Sequence, residues 1–96
     1  VEWLGARPCA DDDRALRSRS RHAEKRLRAK RRSMARLPLS SRARCAVRFE
    51  VLSLEATLRA YGAVAAGRTS AAAQHYADAS WFAQEARRLA CWGEIG

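Results

Sequence analysis

Proline and glycine are scarce in this chain, with two prolines and five glycines among 96 residues. So few breakers leave room for long helices and argue against a domain of many short strands and turns. No segment alternates apolar and polar residues at a period of two, so strands are not expected and the class is all-α. Cysteine is sparse as well. Cys9, Cys45 and Cys91 are odd in number and widely spaced, no Cys-x-x-Cys occurs, and neither His22 nor His75 lies near one of them. That pattern disfavours a zinc site, and three reduced thiols in a reducing compartment is the simpler reading. No uncharged apolar run approaches the ~20 residues needed to span a bilayer, so no transmembrane segment is expected. Large apolar groups are few, since 21 of the apolar residues are alanine. A chain of this length is one domain at most, and its core is thin or completed by a partner.

What the chain has is arginine. Seventeen Arg and two Lys stand against ten acids, for a formal net charge of +9. The excess is not spread out. Residues 14–48 hold twelve Arg and two Lys against Glu24 alone, a formal +13, while residues 1–13 carry −3 and residues 49–96 carry −1. A block this dense requires a polyanionic partner or stays disordered. Nucleic acid is the first candidate at this pI, and an anionic membrane surface the second. A thin core and such a block are expected to leave the free chain largely unfolded. The Arg-rich, Ser-containing stretch 14–44 also has the composition of an organellar transit peptide. It lies behind thirteen further residues and is read as retained structure. The start at Val1 suggests a processed form.

Taken in order, residues 1–10 read as an irregular docking arm, broken by Gly5 and Pro8, with Trp3 as a packing anchor. Residues 11–96 read as a single all-α domain. Asp11-Asp12-Asp13 opens the first helix, as caps and dipole partners in preference to metal ligands. This helix is expected over about 12–36. At ~100° per residue, Leu16, Ala23, Leu27 and Met34 form one narrow stripe. Arg14, Arg17, Arg21, Lys25, Arg28, Arg32 and Arg36 fall on the opposite side. Like charges at these spacings each cost roughly 0.2–0.5 kcal/mol in an isolated helix, so a merely solvated face is the weaker explanation.

Leu37-Pro38-Leu39 ends that helix, because the residue before proline avoids helical backbone. Ser40 or Ser41 caps the next, expected over about 41–66. Val47, Val51, Leu54, Leu58, Tyr61 and Ala65 form its main stripe, widened by Cys45, Phe49, Leu52 and Ala56. Arg42, Arg44 and Arg48 extend the basic surface. Gly62 in its interior suggests a close helix contact, since it weakens the helix by ~1 kcal/mol against Ala. Gly67 is the expected C-cap, and Thr69 or Ser70 begins a third helix over about 70–92, ended by Gly93. Ala72, Tyr76, Ala79, Ala83, Ala86 and Ala90 line it with mostly small side chains. The short loop makes the last two helices an antiparallel hairpin, so the fold is a long basic helix followed by that hairpin, a three-helix bundle.

Signals for catalysis are weak, and no cofactor motif or small-molecule substrate site is read. His75 is a core-edge histidine with no nucleophile arranged around it. Glu85 is expected to pair with Arg88. Gly67-Arg68-Thr69-Ser70 is a weak anion signal at a helix start. A row of guanidiniums, by contrast, can bridge phosphates and release counterions. The expected RNA-binding residues are Arg14, Arg17, Arg21, Lys25, Arg28, Arg31, Arg32, Arg36, Arg42, Arg44 and Arg48. Trp3, Trp81 and Trp92 are read as protein contacts in preference to base-stacking platforms.

The stretch Tyr61-Gly62-Ala63-Val64-Ala65-Ala66-Gly67, followed by Ala71-Ala72-Ala73-Gln74 and Tyr76, resembles the helical hairpin of the bacterial-type small-subunit ribosomal protein twenty family. Glu24-Lys25 and Arg31-Arg32-Ser33-Met34 resemble pieces of that family's first helix, and Gly93 and Ile95 its next turn. The likeness is concentrated in residues 59–79. The matching pieces lie farther apart here than in that family, and Pro38 interrupts what is there one continuous helix. The resemblance implies a three-helix bundle on small-subunit ribosomal RNA, with the Arg row facing the RNA and neighbouring ribosomal proteins as further partners. The expectation is therefore a non-catalytic structural protein of an organellar ribosome, mitochondrial before plastid, with a cytoplasmic ribosome as the alternative. Two other readings stand beside it. One is an accessory subunit of a membrane-bound respiratory or photosynthetic complex, with the basic helix lying on anionic lipid. The other is a protein-interaction hairpin, since Gly67, Ala72, Tyr76 and Ala79 also fit a tetratricopeptide-like helix pair.

Overall fold

A helix with one greasy edge and a cationic surround holds its place only if that edge is buried. The computed structural model describes residues 10–39 and 41–95, with side chains described over 13–39 and 41–91. They form three helices, α1 (Ala10–Ala35), α2 (Arg42–Ala65) and α3 (Thr69–Ile95). The fold is all-α, a three-helix bundle with α2 at its centre. Helices α1 and α3 each pack along α2 but make no close backbone approach to one another among the described residues.

Two different stripes of α2 make this possible. The first packs on α1. Ala23 and Leu27 of α1 form a buried cluster with Val51 and Leu54, and Val47, Leu58 and Tyr61 pack against it. Leu16 and Met34 lie half-buried at either end of the α1 edge, as their helical phase predicts. The second stripe, Ala46, Phe49, Ser53, Ala56, Ala60 and Ala63, is offset by about one residue and faces α3. Ser53 Oγ donates to the Ala79 carbonyl of α3 at 2.8 Å. Ala56 and Ala60 have no exposed surface, and Ala72, Ala79 and Ala86 answer them at seven-residue spacing on α3. Small side chains let these two helices approach closely. His75, Phe82 and Leu89 are half-buried along the same side of α3. Pairs such as Ser53–Ala79 and Phe49–Phe82 run in opposite chain directions, so the hairpin is antiparallel.

The connections follow from a few residues. Arg36 N–H and Leu37 N–H donate back to Ser33 and Met34 carbonyls and tighten the end of α1 before Pro38. Ser41 is the N-cap of α2, with extended backbone and its Oγ accepting from Arg44 N–H at 3.0 Å. The same hydroxyl donates to the Pro38 carbonyl at 2.9 Å, tying cap to loop. At the other end Gly67 takes φ +75. Arg68 N–H reaches the Ala63 carbonyl at 2.8 Å and Gly67 N–H the Val64 carbonyl at 3.0 Å. This is the paired closure of a Schellman motif, in which glycine supplies the left-handed residue at least cost.

Several expectations are corrected. α1 begins at Ala10, so Asp11-Asp12-Asp13 stands in its first turn and not at the cap position. α3 runs through Gly93 to Ile95, because glycine permits a turn without forcing one and no proline follows. Cys45, Ala65 and Ala90 are exposed, off the seams where they were expected, while Tyr76 is part-exposed at the seam edge with its ring edge-on to Tyr61 at 6.2 Å. A stripe read at alternating three- and four-residue steps drifts by ~20° per heptad on a straight helix, which carries its ends out of contact. No close contact exists at Gly62, where an added Cβ would meet no atom within 4 Å. Apart from Ala10, the 1–10 arm lies outside the described residues.

The two central glycines are expected to respond in opposite directions. Gly62→Ala raises stability by about 0.5–1 kcal/mol, because the site is open and helical. Gly67→Ala lowers it by about 1 kcal/mol, because its φ is positive. Urea unfolding followed by circular dichroism measures both. Leu27→Ala, which empties the α1–α2 seam, costs about 2 kcal/mol or more in the same assay.

Candidate nucleic-acid interface

Burying the edge of α1 leaves the rest of that helix facing outward. Arg14, Arg17, Arg21, Lys25, Arg28, Arg32 and Arg36 are all exposed. None of their side chains has a hydrogen-bond or ion-pair partner among the described residues. Successive members lie three or four residues apart, so they form one row. At ~1.5 Å per residue the row is about 33 Å long. Arg48 on α2 is exposed and has no side-chain partner among the described residues.

The other expected contacts are spent within the chain. Arg31 reaches across to α2, its guanidinium donating to Glu55 Oε2. Arg44 is half-buried and donates from Nη1 to the Leu37 carbonyl at 3.1 Å, bracing the α1–α2 loop. Arg42 is exposed but also engaged. Lys30 pairs with Glu50 at 3.1 Å. Both carboxylates of α2 are thus neutralised by α1 cations, so the acids stitch the basic helix to the hairpin and stay off its outer row. On α3, Arg88 pairs with Glu85 as expected, and that hydrogen bond and the carboxylate charge raise the guanidinium pKa further.

Three arginines were missed in the sequence. Arg19 and Arg26, seven residues apart on the flank of the α1 edge, line a groove of about 530 Å³ between α1 and α3 together with Arg87. The seven-residue spacing was visible. Its meeting with Arg87 was not, because that depends on how the helices pack around α2.

Trp81 stands half out of the surface, 54% exposed, and stacks edge-on against Phe49 and Phe82 at 6.1 and 5.4 Å between ring centroids. Trp3 and the side chain of Trp92 lie outside the described residues. His75 is half-buried, and its Nδ1 is buried without a hydrogen-bond partner in the structure. Among the described residues no group of three or more His, Cys, Asp or Glu could hold a metal ion. No described helix is long and apolar enough to cross a membrane.

No family model, curated protein or solved structure matches the chain.

The division between spent and available arginines has a thermodynamic consequence. Arg44→Ala removes a charged donor from a half-buried carbonyl and is expected to cost about 1–2 kcal/mol. Glu55→Gln breaks a largely exposed pair and is expected to cost under about 1 kcal/mol. Chemical denaturation of the two variants side by side tests the ranking.

Proposed function

We propose that this protein is a non-catalytic RNA-binding protein that seats its outer α1 row on the phosphate backbone of a structured RNA. One observation carries the reading: six exposed cations on α1, with Arg36 in the turn that follows, stand in a row with no side-chain partner among the described residues, while Glu50 and Glu55 of α2 are taken up by Lys30 and Arg31. A row of unshared guanidiniums gains most from a polyanion, through paired hydrogen bonds and counterion release. Structured RNA is read by shape and backbone contacts, which a straight basic helix suits.

The resemblance of residues 59–79 to the small-subunit ribosomal protein twenty family narrows the proposal to a ribosome, and within that class we propose an organellar one. Neighbouring ribosomal proteins would then meet the hairpin, where Trp81 offers an exposed aromatic face. The lipid reading is weaker. It needs the apolar edge of α1, and Ala23 and Leu27 are already buried against α2.

Sedimentation of an organelle extract with and without ribonuclease tests the proposal. The chain is expected to travel with a small ribosomal subunit and to leave that position when RNA is digested. Ribonuclease-insensitive migration with a detergent-solubilised membrane complex would overturn it. In direct binding, Arg21→Glu with Arg28→Glu is expected to weaken RNA affinity by roughly tenfold or more and to flatten the salt dependence by about two phosphate contacts.

A further inference from the structure

The groove between α1 and α3 exists because both helices meet α2 without meeting each other. Arg19, His22 and Arg26 line it from α1 and Arg87 from α3, with Tyr61 among the α2 residues between them. The three guanidiniums are exposed and have no partner among the described residues. The groove also holds a carboxylate, Glu50, but Lys30 Nζ already binds it at 3.1 Å. Cations from two separate helices therefore converge on one concave site whose one described carboxylate already has a lysine partner.

We propose that this groove is a second phosphate-binding subsite, which takes a phosphodiester of a single-stranded RNA segment and so ties α1 to α3. The inference rests on the RNA reading above and extends it to Arg87, which lies outside the basic block. A cleft of about 530 Å³ between two helices is of a size suited to a nucleotide of a single strand. Its walls suit a nucleotide on both counts. Arginines meet the phosphate, while alanine surface and the Tyr61 ring meet the base, as in sequence-tolerant single-strand sites. The bound phosphate joins two helices that make no close backbone approach to one another among the described residues.

Titration of the full chain with polyuridylic acid over a range of salt tests this. Arg87→Glu is compared with Arg59→Glu, an equal charge change on an exposed α2 residue outside the groove. Arg87→Glu is expected to weaken binding about tenfold and to lower the salt slope by roughly 0.7, one single-strand phosphate contact. Arg59→Glu is expected to stay within about twofold of the parent chain, as a charge making no phosphate contact should. Arg87→Gln moves the same way as Arg87→Glu by a smaller amount, and decides the matter if the reversal fails to fold by circular dichroism. Equal losses from both reversals, or no loss from Arg87→Glu, would overturn the groove and leave the outer row of α1 standing. A parent chain that does not bind polyuridylic acid at all overturns the subsite, and loss of binding to structured RNA as well removes the reading beneath it.

Discussion

The structure depends on one narrow apolar seam. Ala23 and Leu27 of α1, buried against Val51 and Leu54, hold a helix whose remaining faces repel themselves. An isolated helix with cations at three- and four-residue spacing is penalised at every step. Here the penalty is offset partly by burial along the seam and partly by Glu50 and Glu55, which reach from α2 to Lys30 and Arg31. Those pairs are largely exposed and individually weak. Their placement matters more than their strength, because they orient the unpaired row away from the hairpin.

Helix α2 does two jobs with two stripes. Toward α1 it presents Val and Leu, which fill space, and toward α3 it presents alanine, which removes space. The alanine seam lets backbones approach and accounts for an 0% exposure at Ala56 and Ala60 without any large side chain. No fully buried large side chain is found among the described residues, so the core stays modest. Such a core is consistent with a protein whose order is completed by its ligand.

This economy explains the shape of the charged surface. A third helix pair, α1 with α3, would have closed the bundle and buried the flank of α1. Its absence leaves Arg19 and Arg26 facing Arg87 across a cleft. Closing that cleft with protein alone would press like charges together at low dielectric, which is costly. An anion reverses the sign of that interaction. The open side is thus where the described parts of α1 and α3 are left unpacked on one another.

Much of this was legible in the residues themselves. Helix number, antiparallel hairpin, the Ser41 cap and the Gly67 closure follow from local chemistry, because periodicity, capping hydroxyls and positive φ act within a few residues. The α1 row was legible for the same reason, since phase along one helix needs no knowledge of its neighbours. Tertiary packing decided the rest. It gave Arg31 and Arg44 partners within the chain, Glu55 and the Leu37 carbonyl. It left Gly62 without the neighbour expected there, and it brought Arg87 to Arg19 and Arg26 from across the chain. Each of these depends on which stripe of α2 faces which helix. A sequence states that both stripes exist, but only the packed structure chooses their partners, because that choice balances volume and charge over all three helices at once.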